Sequence, residues 1–443
     1  MRHAWLVVLV GTAVGMAGEP SALEHRLWLL GKVRPGQVEQ ARQVGVDALV
    51  VPLAEAEARG GELSVRLTLP PDPGLLHGLP VWAAVWVSGE EVKKEAAEGF
   101  WNQLGPAIRG LGVPVKGLVL ATRALPSGLL SLASELSRLA QMPVEVGAPA
   151  QDLLQQVKNE SAKGLGLVAF ALGNLSALGF PHVTPQDAAE LLAAVDELGP
   201  SFRGAVVVAN RVAPALPEGQ NPWELVQGMD YQPTAEGDVL LARSTVTASG
   251  ASLPAGTKVT LLAYDAARLQ RDLGLLLRPV RQRLLGWDSV GELPPAPALG
   301  FTWEAFVAFL SGEGPAPQPV VKIQWESPTT LKVSLQNPTP FASAFATTGN
   351  FLDLTFSGTE VRDVTLLAGS GADFGKLAPG FVRAPRGAAS VVRLYLKVVP
   401  PQTTVDVATV SFLSRPKEIG ARCTVRLGDG REAGGPVPMQ QGK

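Results

Sequence analysis

Carboxylates standing at the ends of apolar runs are the first residues to ask about chemistry. Glu55, Glu90 and Asp288 each follow or close such a run. Two carboxyl groups facing one another across about 5–9.5 Å can cleave a glycosidic bond, one as acid and the other as base or nucleophile. Glu55 with Asp288 or Glu90 is therefore the candidate catalytic set. Trp86 and Trp287 offer flat apolar faces on which a sugar ring can stack. Arg123, Asn174, Asn210 and Arg211 complete the candidate ligand-binding group. Each residue also has a plainer reading. Glu57, Glu90 and Glu91 lie in polar loops, as solvated charges do. Asp288 can pair with Arg283 and Glu55 with Arg123, and both tryptophans can pack a rim.

Other chemistries lack their residues. No GxSxG elbow is present, and the four histidines (His3, His25, His77 and His182) fit no Ser–His–acid order. HExxH, CxxC and paired-His spacings are missing, so no metal site is expected. Without a GxGxxG or GxxxxGK[ST] loop, no nucleotide cofactor is expected either. The formal net charge of -2 offers no basic excess for nucleic acid. The single cysteine, Cys423, can form no internal disulfide and reads as a small buried hydrophobe.

The elements that must hold the candidate set are legible in outline. Apolar runs at 25–30, 47–53, 79–87, 115–121, 144–148, 165–172, 203–209 and 282–287 predict strands covered on both faces. Amphipathic segments separate most of them, as in 127–141 and 184–198, where Thr184 is the expected N-cap and Pro185 the first helical residue. Repeated alternation of this kind predicts parallel strands with helical crossovers. At this length the expected α/β architecture is a (β/α)8 TIM-type barrel over 25–312, with an inserted hairpin near 238–262. Its active site would lie at the strand C-termini, where Glu55, Trp86, Arg123, Asn174, Asn210 and Trp287 are expected to meet. A Pro/Gly linker at 313–319 follows. Seven period-two strands then predict an all-β sandwich over 320–432, and 433–443 reads as a disordered tail.

Arg2 and His3, the apolar stretch 4–16 and the small residues Gly15, Ala17 and Gly18 predict a cleavable signal peptide over 1–18. The mature chain is thus expected outside the cytoplasm, in the periplasm or beyond, with no integral membrane segment after cleavage.

The barrel half resembles an uncharacterised, mostly secreted bacterial family of glycoside-hydrolase-like TIM barrels, a domain of unknown function. The resemblance rests on VDALVVPLAEAE (46–57), KGLVLATRALPSGLLSLASELSRL (116–139), PVEVGAPAQDLL (143–154), GLVAFALGNL (166–175), RGAVVVANRVAP (203–214) and RLLGWDSVGELP (283–294), in that order. It implies a carbohydrate-directed barrel. Where the family pattern carries an Asp-x-Asp acidic motif after the fourth major strand, this chain reads Ala121-Thr122-Arg123. Three functions therefore compete. One is a non-catalytic relative binding a polysaccharide or cell-envelope component, another an active glycoside hydrolase, and the third a structural or protein-interaction module.

Overall fold

The structure is a computed structural model. It describes residues 23–441 apart from 69–70, 158–163, 217–220, 235–236, 249, 279–281 and 378–379. The expected signal peptide, 1–18, lies outside the described residues. The chain divides into two compact units.

The first unit comprises the N-terminal part through Ala209 together with Leu269–Leu293 and Leu310–Gly312. It is the expected barrel. Eight strands are all parallel: β1 (Glu24–Leu29), β2 (Ala48–Arg59), β3 (Val81–Ser88), β4 (Val115–Ala121), β5 (Val144–Pro149), β6 (Gly166–Gly173), β7 (Phe202–Val207) and β8 (Leu284–Gly291). Strand β1 pairs with both β2 and β8, which closes the sheet on itself. Closure removes the open edges that an isolated parallel sheet would expose. β2 outruns the barrel and folds back as a hairpin with Glu62–Leu67.

The strands form because their apolar runs are buried on both faces: Leu118, Val119, Leu120 and Ala121 of β4 are all fully covered. The helices form because one stripe of each is apolar. Leu129–Ala140 buries Leu129, Leu132, Ala133 and Leu136 at helical spacing. Pro185–Glu197 starts as expected: the Thr184 hydroxyl accepts from the Asp187 amide, and Ala188, Leu192 and Val195 face inward. Inside β4, Gly117 leaves room for the Trp82 indole, which would lie 2.3 Å from a Cβ placed there. Gly117→Ala is expected to cost about 1–3 kcal/mol by overpacking, measurable by denaturant unfolding.

The second unit holds Asn210–Arg268, Pro294–Phe309 and Glu313–Lys443. It is larger than the expected sandwich, because the insertion before β8 and the segment after it belong here rather than to the barrel. The expected hairpin is present as Gly237–Leu241 against Lys258–Leu262. The sandwich has a five-stranded and a six-stranded sheet. Its core includes Val333, Leu335, Leu352, Leu354, Val392, Leu394, Val410 and Phe412. Cys423 packs there too, and burial pushes its thiol up to about 12. The expected disordered tail instead adds paired strands, Glu432–Pro436 and Met439–Gln441. Backbone pairing along the sheet edges holds these residues, and Ala433, Val437 and Met439 pack against the sandwich core. No helix among the described residues is long and apolar enough to cross a membrane.

Candidate active site

Period-two alternation sends every second residue of a barrel strand into the interior. In the lower half that interior is charged. Arg26 of β1 is fully buried and donates to both Asp288 oxygens of β8, at 2.9 and 2.8 Å, and to Glu145 of β5 at 2.7 Å. Arg203 of β7 donates to the same Asp288 at 2.8 Å and to Glu24 at 2.8 Å. The Trp28 indole N–H adds a third donor residue to Asp288, at 2.8 Å. Burial alone would raise the Asp288 pKa, but the Arg26 and Arg203 guanidiniums overcome it and hold the group at about 2. Asp288 is therefore ionised, fully enclosed and saturated with donors. For Glu145 burial outweighs the opposing pull of Arg26 and the weaker one of Arg203, and the negative Asp288 adds to it, so its pKa stays raised.

Above this layer the barrel is filled with rings. Trp28 and Trp86 meet at 5.9 Å, Trp28 and Phe170 at 6.1 Å, and Phe170 stacks on Phe180 at 4.7 Å. Phe180 comes from the segment after β6, which also packs Leu175, Ala177 and Leu178 against the same cluster. A cavity of about 10 Å³ beside Phe170 and Phe180 has space for no more than about one water.

Five of the candidate residues stand at or just past the strand C-termini. Trp86 is half-buried, and the exposed Arg123 guanidinium lies 5.8 Å from its ring centre. The register sets Glu55 beside Trp86 on one face of the sheet, where it is exposed and 3.8 Å from Arg66. Asn174 donates to the Ala209 carbonyl at 3.0 Å. Glu90 is exposed in the loop after β3.

The other four lie elsewhere. Trp287 is buried on the outer side of β8, stacked on His25 at 3.6 Å. Asp288, its neighbour, points inward to the ion network. The expected strand ended at Trp287, whereas β8 runs on to Gly291, so both residues fall within the strand rather than at its mouth. Asn210 belongs to the second unit and serves as a backbone staple. Its carbonyl oxygen accepts from the Tyr264 and Phe301 amides, at 2.9 and 3.0 Å, and its amide donates to the Phe301 carbonyl. Arg211 is exposed in that unit. Glu90 in solvent and Asp288 in the sealed interior do not face one another, and neither do Glu55 and Asp288.

The sequence reading missed Arg26, Glu145 and Arg203. A signal was present. Four apolar strands (EHRLWL, VEVGAP, FRGAVV and LLGWDSVG) each carry an inward charge, two of them positive and two negative. Such charges can be buried together only by pairing. On the inner face of β4, Val119 and Ala121 belong to the apolar core, and neither brings a carboxylate to the mouth. Among the described residues no three His, Cys, Asp or Glu side chains stand together as metal ligands.

No protein-family model matches the chain, and no curated protein sequence matches it. Solved structures with a similar course of chain include a chitinase from Chromobacterium violaceum, at 14% identity and a TM-score of 0.41, with 66% of this chain and 98% of that one covered. The spore cortex-lytic enzyme SleL of Bacillus megaterium is similar at 12% identity and a TM-score of 0.38, over 61% of this chain and 70% of that one. A family GH18 chitinase from Chromobacterium violaceum is similar at 11% identity and a TM-score of 0.33, over 94% and 93%. At these identities and scores the likeness assigns no activity, and the barrel architecture rests on the closed parallel sheet itself.

Proposed function

We propose that the chain is a non-catalytic, glycoside-hydrolase-like barrel protein that works outside the cytoplasm and binds a glycan or an envelope partner. The observation that carries this reading is the state of the two carboxylates inside the barrel. Glu145 and Asp288 are held by guanidiniums beneath an aromatic plug, and Arg123 stands at the mouth. A glycosidase needs a carboxylic acid beside the leaving oxygen. A guanidinium, with a pKa above about 12, cannot donate that proton. Trp86 and Arg123, both accessible, suit the edge of a sugar or a polar partner. The pattern of residues 1–18 supports export.

The expected result is no turnover by wild type on a panel of α- and β-linked glycans, with binding that Trp86→Ala weakens. Glu55→Gln, Glu90→Gln and Asp288→Asn are assayed beside it, each after its folded fraction has been checked. Turnover by the wild type that vanishes in a folded carboxylate variant would reject the proposal in favour of a hydrolase.

A further inference from the structure

Within the sandwich, the strands Asn350–Ser357 and Val391–Leu396 send Leu352, Leu354, Val392 and Leu394 into the core. Alternation turns Phe351, Asp353, Arg393 and Tyr395 to the opposite face of the six-stranded sheet. The registers align a row across neighbouring strands on that face. Arg422 stands opposite Asp353, Asp353 opposite Arg393, and Arg393 opposite Asp373. Arg383 of the next strand extends the row by its ion pair with Asp373 at 2.7 Å. The sign of charge alternates at each step, and neighbouring strands lie about 4.8 Å apart.

The row is held in place. Arg393 donates to both Asp353 oxygens, at 2.7 and 2.8 Å. Its guanidinium carbon sits 3.9 Å from the Phe351 ring centre and 4.2 Å from that of Phe381. The Tyr395 hydroxyl donates to Asp373 at 2.9 Å, and its ring meets Phe351 edge-on at 6.5 Å. Gly375 makes the space that Phe381 uses, since a Cβ there would come within 2.8 Å of the ring. Phe351, Phe381 and Tyr395 all remain half-exposed, and Arg422 is exposed at the end of the row.

Cross-strand ion pairs stabilise a sheet, but that role does not call for three rings left partly in water. The charge pattern narrows what can cover them. Three arginines stand against two aspartates, a net of one positive charge. A polyanion or a polycation laid across the strands would meet its own sign at every second step, and such juxtapositions are costly. Hydroxyl groups both donate and accept, so they can bond to guanidinium and carboxylate alike. The rings match the apolar faces of sugar rings. We infer that this sheet face binds an uncharged polysaccharide chain lying across the strands. This is a second site, separate from the barrel mouth considered above.

The test uses the full chain in affinity electrophoresis and pull-down with uncharged polymers (dextran, mannan, cellulose) and charged ones (polygalacturonate, chitosan). Retention by at least one uncharged polymer is expected, with little response to salt because no net charge is neutralised. Tyr395→Ala is expected to weaken it about tenfold and Arg422→Ala about threefold, while Lys116→Ala, at an exposed residue outside both sites, leaves it intact. The exposed Arg422 keeps the test decisive if Tyr395→Ala folds poorly. Three outcomes overturn the inference: no retention by any uncharged polymer, retention only by charged polymers and abolished by salt, or retention that neither sandwich substitution weakens. Loss of retention in Trp86→Ala alone would place the sugar at the barrel mouth, leaving the proposed function standing while this site falls.

Discussion

Arg26→Met is expected to destabilise the barrel by about 3–5 kcal/mol, the usual cost of removing one partner from a buried ion pair. Met keeps much of the side-chain length but none of the donors. Asp288 retains Arg203 and the Trp28 N–H, whereas Glu145 loses its hydrogen-bonded guanidinium, the larger of the two that oppose its burial. The penalty therefore falls mainly on Glu145, which escapes it by taking up a proton. Two consequences follow for measurement by urea unfolding. The loss is larger at neutral pH than at pH 5, and adding Glu145→Leu restores more than half of it. A loss below about 1 kcal/mol, with an unchanged denaturant slope, would mean that the interior is hydrated and the network is not the buried one described.

The second large effect is acid sensitivity through His25. Burial lowers its pKa from 6.5 to about 3, and the opposing pull of Asp288 is weaker. Its ring stacks on Trp287 and its Nε2 lies 2.8 Å from the Ser289 hydroxyl, outside the barrel and away from water. Between those two pH values the unfolded chain binds a proton that the folded chain refuses. Stability is thus complete above pH 6.5 and falls as the pH drops towards 3, by up to about 1.4 kcal/mol per unit and about 5 kcal/mol in all. Asp288 does not contribute in most of that window, because its stabilisation is lost only as pH falls from its ordinary 3.8 through about 2. Glu145, with its raised pKa, works in the opposite direction, since the folded state takes its proton first. His25→Phe keeps the stack on Trp287 and removes the titration. Its unfolding free energy, measured from pH 7 to pH 4, is expected to fall by markedly less than that of wild type. Parallel profiles would show that His25 reaches solvent.

The barrel was legible because its strands are apolar without interruption and its crossovers carry a helical stripe. Both signals follow from burial, which the order of apolar and polar residues along the chain reveals. The site was less legible because facing, unlike burial, depends on register. Trp287 and Asp288 are consecutive on β8, so they point to opposite sides of the sheet, and one of them had to miss the mouth. Nothing in the run LLGWDSVG shows where the strand stops, since Ser289 and Val290 are as buried as the residues before them. In the sandwich, the strand Gly371–Leu377 carries no legible period of two. Gly371 and Gly375 remove the side chains that would have displayed the period of two. Asn210 was misread because an asparagine at the end of an apolar run looks the same whether it meets a ligand or, as here, two backbone amides.

The ion network also sets an order of events during synthesis. Arg26 emerges 262 residues before the Asp288 that neutralises it. At about 5–20 residues per second, that interval lasts on the order of tens of seconds. Throughout it, strands β1 to β7 can be assembled only around two guanidiniums, Arg26 paired with Glu145 and Arg203 with Glu24, that lack the Asp288 they share, and β1 has no β8 to close against. A growing chain in that position has good reason to keep its first strand wet. The last strand therefore acts as a latch, and the barrel cannot close before β8 has been made.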